Sequence, residues 1–229
     1  MFSPKRTVIF VNGRLRSPKR LAALLRHDDW LVAADGGLRH LRCLGLAPRL
    51  LIGDLDSVTE EEVRWAAENC AEVRRYPREK DATDLELALA AGLQTGSREI
   101  LLAAALGGRL DQTLGNLGLL LRPELDGLDV RLEDGREEAF LIRGSAEIQG
   151  RAGDIVSLLP WNDPAEGVTT HALRYPLCDE TLYPDRTRGI SNEMQGDTAQ
   201  VSLRAGILLC IHTRKGLPSQ TLWTRRGNK

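Results

Sequence analysis

The chain has 229 residues, room for one large domain or two small ones, and its 42% hydrophobic and 28% charged residues are those of an ordinary globule. Its 31 basic and 32 acidic residues nearly cancel, and they stay balanced along the chain, 18 of each sign up to Gly127 and 13 against 14 beyond it. This balance argues against a basic nucleic-acid surface, a polybasic membrane anchor and an acidic tail. The longest apolar run, Ile100 to Leu106, is far too short to span a bilayer, and Met1 opens no secretory signal. Cys43, Cys70, Cys178 and Cys210 are scattered without a CxxC pair, so neither a zinc site nor a disulfide framework is indicated. A cytoplasmic protein with no nucleic-acid or membrane partner is expected.

Up to Gly127, short apolar runs alternate with amphipathic stretches. TVIFVNG, DWLVAADGG, RLLIGDLDS, AEVRRYP and REILLAAALGG read as strands, and Thr59 to Cys70, Asp81 to Leu93 and about Asp111 to Leu121 read as helices. Such alternation implies a doubly wound parallel sheet. Beyond Gly127, VRLEDGREEAFLI reads as a hairpin about Asp134-Gly135, and strand-like runs follow without a long helix. The expected fold is therefore α/β + β: an N-terminal doubly wound domain over 1–127 and a smaller β-rich domain over 128–229, with a frayed polar C-terminus.

The acids of the first half fall where ligands bind in open α/β sheets, beyond the carboxyl ends of strands. Asp35 follows WLVAA, Asp54 and Asp56 follow RLLIG, and Asp111 follows LLAAALGGRL. Asp81 and Asp84 stand three apart at a predicted helix start, as catalytic acids or as a capping pair. On an extended strand end residues two apart point to the same side, so Asp54 and Asp56 face one point. Carboxylates gathered on one rim repel unless a hard cation neutralises them, and oxygen ligands suit Mg2+. Gly36-Gly37 and Gly107-Gly108 can turn sharply and present N–H groups to a phosphate, although no Walker loop occurs. Arg109 offers a guanidinium fork, and Lys80 is one of only five lysines among the 31 basic residues, a compact charge beside Asp81.

The ordered motifs AADGG, GDLDS, KDATDLELAL and GGRLDQTLGN, followed by LRYPL and GISNE, resemble the thiamine pyrophosphokinase (thiamine diphosphokinase) family from about Val32 to Ile211. The resemblance implies a C-terminal β-sandwich, a homodimer with thiamine bound between subunits, and transfer of the diphosphate of ATP to thiamine with release of AMP. It implies Mg2+ on Asp54, Asp56 and Asp84. It places Asp35, Gly36, Gly37, Lys80, Asp81, Gly108, Arg109 and Asp111 around the nucleotide and diphosphate. Tyr175, Ser191 and Asn192 fall against the thiamine pyrimidine. Asp111 or Asp81 is a candidate to orient or deprotonate the alcohol, and the sequence does not choose between them. Leu55 stands for the family's usual Phe, Leu38-Arg39 for a common Ala-Asn, and Gln112 for a frequent His. A diphosphokinase for another hydroxymethyl heterocycle such as a pterin would use the same acids; Tyr175 with the SNE motif favours thiamine. A nucleotide-sensing module and a metal-dependent phosphohydrolase are further alternatives, and the complete acid set argues against the first.

Overall fold

The computed structural model describes residues 5–69 and 71–216. Cys70 and the C-terminal segment expected to fray lie outside the described residues. The first half runs β1 (Arg6–Phe10), α1 (Pro18–Leu24), β2 (Trp30–Ala34), α2 (Leu38–Cys43), β3 (Leu50–Gly53), α3 (Glu60–Glu68), β4 (Glu72–Arg75), α4 (Asp84–Leu93), β5 (Glu99–Ala103) and α5 (Leu110–Leu119). After a 3-10 turn at Pro123–Leu125, the described residues continue as strands: β6 (Asp129–Glu133), β7 (Glu137–Ile142), β8 (Ser145–Gln149), β9 (Ile155–Pro160), β10 (Ala165–His171), β11 (Glu180–Leu182), β12 (Asn192–Glu193), β13 (Thr198–Ser202) and β14 (Leu208–Thr213).

The parallel part is ordered β6-β5-β1-β2-β3-β4, and the period-2 alternation of its strands divides the core in two. On one face Ile9, Val32, Ile52 and Leu102 pack against Leu85 and Leu89 of α4 and Leu117 of α5. On the other, Val8, Phe10, Ala33 and Leu51 pack against Leu21 of α1, Leu38 and Leu41 of α2, and Ala66 of α3. Helices on both faces make the sheet doubly wound, as the alternation predicts. Helix α3 opens with a full capping box between Thr59 and Glu62. Helices α1 and α2 are not in the sequence reading because seven and six residues hold too few turns for a period to show.

The hairpin forms as expected. Asp134 Oδ1 accepts from the backbone N–H groups of Arg136 and Glu137, each at 2.8 Å, which closes the turn. Its first strand has a second allegiance: β6 pairs parallel with β5 from Glu99↔Asp129 to Ala103↔Glu133, and antiparallel with β7. The sheet thus continues without a break through β7, β14, β9 and β12, ten strands in all. The four-stranded sheet β11-β10-β13-β8 covers that extension. Phe140, Val156, Leu158 and Cys210 from one layer meet Ile148, Val168, Ala199 and Val201 from the other. This is the β-sandwich, sharing one layer with the α/β sheet. Among the described residues no helix is long and apolar enough to cross a membrane.

A buried charge network occupies the region where the parallel and antiparallel strands meet. His212, fully buried on β14, bridges Glu138 Oε1 at 2.8 Å and Asp154 Oδ2 at 3.1 Å. Arg214 reaches Glu133 at 2.8 Å and Glu138 at 3.3 Å. Burial pushes the Glu133 carboxyl up against the pull of Arg214. Burial also opposes the charge of Glu138, but His212, Arg214 and Arg131 outweigh it and hold that carboxyl below its ordinary range. His212→Ala is expected to cost about 2 kcal/mol or more, because it empties a fully buried position and takes one hydrogen-bond partner from each of two buried carboxylates, Glu138 and Asp154. Urea denaturation measures it, and a loss below about 1 kcal/mol, typical of a surface substitution or less, is incompatible with this account.

Candidate active site

The site lies at the carboxyl edge of the parallel strands. Asp35 directly follows β2 with a positive φ of 46°, and Asp54 directly follows β3. Thr83 caps α4 by accepting from the Glu86 N–H at 3.2 Å, so the helix begins at Asp84 rather than at Asp81. Asp84 therefore stands in the first turn, where the helix dipole favours an anion. The capping pair of Asp81 and Asp84 does not form, since the Thr83 hydroxyl takes that place. Asp35, Asp54 and Asp84 each bring a carboxylate oxygen within 4.8 Å of the others. Gly53 makes this approach possible: its φ is +146°, and a Cβ there would lie 3.0 Å from Asp84 Cγ and 3.2 Å from Asp35 Cβ.

Lys80 faces this cluster, with Nζ 3.1 Å from Asp84 Oδ1, 3.5 Å from Asp54 Oδ2 and donating to the Pro77 carbonyl at 3.2 Å. Burial works against its charge, but Asp84 and Asp54 outweigh it and hold the ammonium above the ordinary lysine value. One lysine does not neutralise three carboxylates. Burial, with Asp54 and Asp35 nearby, keeps the Asp84 carboxyl above its ordinary range despite Lys80. Asp84 Oδ1 is buried without a hydrogen-bond partner in spite of its ion pair. An all-oxygen set with excess negative charge and an unsatisfied buried oxygen fits a hard divalent cation.

Other predicted residues lie apart from this cluster. The 54–56 segment is not extended: Leu55 has φ +62°, and the Asp56 N–H donates to Asp54 Oδ1 at 3.2 Å. The strand stops at Gly53, so the two-residue alternation that would align Asp54 with Asp56 does not apply. Asp56 is exposed and meets Arg78 at 3.7 Å and the Ser57 hydroxyl at 3.2 Å. Asp81 is also exposed. Arg109 and Asp111 pair with each other at 2.5 Å, with side chains 74% and 62% exposed. That pairing holds the Asp111 carboxyl below, and the Arg109 guanidinium above, its ordinary range. Gly36 and Gly37 are buried, and their backbone is packed tightly: a Cβ on Gly37 would lie 1.9 Å from the Phe10 carbonyl, and one on Gly36 2.4 Å from the Asn12 side chain. Gly108, in contrast, borders open space with φ +85°.

A cavity of about 270 Å³ beside the acids is lined by Asp35, Lys80, Asp84 and Gln112, and by Asn12 and Asn116, which sequence reasoning does not single out. Asn12 follows β1 by the same edge rule that marks Asp35, so its signal was available. Asn116 donates to the Ala105 carbonyl at 2.8 Å and ties α5 to the end of β5. Leu38 is core. Arg39 donates to the Ser57 carbonyl, bracing the acid loop from α2.

In the sandwich, Tyr175 is 54% exposed and the Arg174 guanidinium lies 5.6 Å from its ring centroid. The buried Asn192 amide serves the Tyr175 backbone, accepting from its N–H at 2.9 Å and donating to its carbonyl at 2.6 Å. Ser191 is exposed, with φ +60° and its N–H donating to the Ser157 hydroxyl at 3.0 Å.

These features define a two-part protein: a doubly wound sheet with a carboxylate–lysine cluster on its ligand-binding edge, joined to a β-sandwich that presents an aromatic. Residues 21–132 match the family described as "Thiamin pyrophosphokinase, catalytic domain", and residues 145–208 "Thiamin pyrophosphokinase, vitamin B1 binding domain". The thiamine pyrophosphokinase of Bacillus subtilis is 30% identical over 189 residues, 82% of this chain and 88% of that protein. Thiamine pyrophosphokinase 1 of Oryza sativa subsp. japonica is 25% identical over 73% of this chain and 67% of its own. The crystal structure of the Bacillus subtilis thiamine pyrophosphokinase superposes with a TM-score of 0.83 at 27% identity, covering 93% of this chain and 100% of that one. The chain belongs to the thiamine pyrophosphokinase family.

The pH dependence of stability follows from Asp84. A carboxyl whose folded pKa is raised contributes fully below its unfolded value, and the contribution is lost as pH rises through the folded one. In EDTA at neutral pH, Asp84→Asn is therefore expected to melt higher than the parent, by about 2–4 °C if about 1 kcal/mol of repulsion and desolvation is relieved. The gain should vanish below the carboxylate range, where Asp84 is itself neutral. A lower melting point for Asp84→Asn at neutral pH contradicts the argument.

Proposed function

We propose that the chain transfers the diphosphate of ATP to the hydroxyethyl alcohol of thiamine, giving thiamine diphosphate and AMP. The observation that carries this reading is the convergence of Asp35, Asp54 and Asp84, with Lys80 paired to the last two, at the sheet's ligand-binding edge, in a chain of this family. Asp54 and Asp84 would hold Mg2+, with Asp35 beside them and Asp56, matched by the family motif, one turn away on the surface. The ion supplies charge neutralisation on the phosphates and on the leaving oxygen of AMP.

The rest of the catalysis falls to side chains that align and neutralise, because phosphoryl transfer passes through a loose transition state. Lys80 neutralises non-bridging oxygens. Arg109 exchanges its exposed contact with Asp111 for the diphosphate, which frees the Asp111 carboxylate to orient the alcohol. Asn12, Gln112 and Asn116 line the approach. Tyr175 offers a flat face to the pyrimidine, and Asn192 fixes the backbone that carries it, with Ser191 alongside.

The order of the sheet supports a site shared between two copies of the chain. Asn192 lies on β12 at one end, whereas β2 and β3 stand seven and eight strands away. At the usual strand spacing that separates the two regions by roughly 35 Å, far beyond the reach of one bound thiamine and its diphosphate donor. A homodimer in which the 128–229 half of one copy faces the 1–127 half of the other resolves the distance.

Purified protein with ATP, Mg2+ and thiamine should yield AMP and thiamine diphosphate in equal amounts; ATP consumption without thiamine diphosphate contradicts the assignment. Asp54→Asn should slow transfer about 100-fold, the scale of losing one strong electrostatic stabiliser. Tyr175→Ala should raise the KM for thiamine several-fold and leave that for ATP nearly unchanged, since such a ring contact is worth about 1 kcal/mol. Mixing these two variants under subunit exchange should restore activity, because each hybrid dimer holds one site free of both lesions. Verified hybrids without recovery place both parts of the site in one subunit.

A further inference from the structure

At the opposite, amino edge of the parallel strands, a cleft of about 710 Å³ opens between α1 and the turns that follow β8 and precede β13. Arg6, Glu99 and Asp129, the first residues of β1, β5 and β6, form its floor. Six arginines and four acids line it, and two further acids, Asp29 and Glu133, pair with its arginines from behind. Most of them are mutually satisfied. Arg6 pairs with Asp29 at 2.7 Å, Arg26 with Glu99 at 2.8 Å, Arg131 with Asp129 at 2.8 Å, and Arg214 with Glu133 at 2.8 Å. Of the other two acids that line it, Glu138 pairs with Arg131 and Arg214 at 3.3 Å each, and Asp197 is exposed at the rim.

Arg20 and Arg151 are the exceptions: among the described residues neither guanidinium has a carboxylate within 4.0 Å, and Arg20 Nη1 is buried without any hydrogen-bond partner. The nearest acids are already committed. Glu133 accepts from Arg214 and from the Gly135 N–H, and Asp154 accepts from His212 and from the backbone N–H groups of Arg151 and Lys215. Burial, then the adjacent Arg214, and Arg151 with it, make the charge of Arg20 costly and pull its guanidinium below the ordinary value. A stranded buried donor of this kind costs free energy until an acceptor arrives.

We propose that this cleft binds a phosphate-bearing anion, received by the Arg20 and Arg151 guanidiniums with Arg214 behind them. Guanidinium forks match phosphate oxygens, and a phosphate dianion can meet both unpaired guanidiniums at once, where chloride offers no matching fork. The volume exceeds that of one inorganic ion and lies in the range of small-molecule sites. Leu24, Ile100 and Leu101 give an organic ester an apolar wall. The site is separate from the acid cluster and does not depend on the activity assigned there.

The test is titration calorimetry on the full chain in EDTA, with pyrophosphate as a free phosphoanion and AMP as a phosphate ester. Beyond any anion taken at the acid cluster, saturable binding of one anion per chain is expected at this cleft, with pyrophosphate alone binding there if the occupant is inorganic and AMP binding as well if the apolar wall is used. Arg20→Gln and Arg151→Gln should each weaken that binding about tenfold or more, as expected for a lost charge-assisted hydrogen bond. Arg151 is exposed, so its variant remains readable even if Arg20→Gln folds poorly. Absence of saturable binding by either anion, unchanged affinity in Arg151→Gln, or an equal response to sodium chloride overturns the proposal.

Discussion

Strand β6 is the element on which the rest of the molecule depends. It accepts a parallel neighbour on one side and an antiparallel neighbour on the other, so a single run of backbone hydrogen bonds ties the helical half to the sandwich. A flexible linker would have left the two halves free to reorient. Here the turn after β6 is also fastened from outside, since the Ser17 N–H donates to the Asp134 carbonyl at 3.0 Å. The polar groups buried beside it, Glu133, Glu138, Asp154, His212 and Arg214, are costly to desolvate and acceptable only when paired. Their pairing requires β7, β9, β14 and the β6 end to be in register together, so the network specifies one arrangement of the halves.

That rigidity bears on the chemistry. The acid cluster follows β2 and β3 of the ten-stranded sheet, and the Tyr175 loop is tied through Asn192 to β12 at the opposite end of the same sheet. In the reading developed above, the distance becomes an advantage: a second copy supplies the missing part, and neither region has to move far within its own chain.

The acid cluster was legible in the sequence because strand ends are. Apolar runs stopping at Ala34 and Gly53 put Asp35 and Asp54 on one edge, and KDATD put Lys80 and Asp84 beside the next helix. The details failed where local geometry overrides alternation. Asp54 and Asp56 share a side only if the strand persists, and a left-handed Leu55 ends it. Asp81 and Asp84 make a capping pair only if Thr83 does not cap. The role of β6 in the parallel sheet was not legible, since its partner β5 is distant in sequence and nothing in VRLE distinguishes parallel from antiparallel pairing. Strand β8, SAEIQ, is too polar for an apolar run to mark it. The stranded guanidinium of Arg20 depends on which neighbours are already paired, and no sequence pattern reports that.

Leu55 shows how firmly the acids are held. Its backbone is in the left-handed region, at a cost of about 1–2 kcal/mol for a side chain of this kind. Its side chain is only 5% exposed and belongs to the core beneath the loop, a burial worth about 1.5–3 kcal/mol. The anchor outweighs the strain, so the turn bearing Asp54 is fastened to the interior instead of riding on the surface. Amide exchange at Leu55 and its neighbours should then follow global opening of the domain and not local fraying. Substitutions in the core that never touch a ligand would register at the carboxylates.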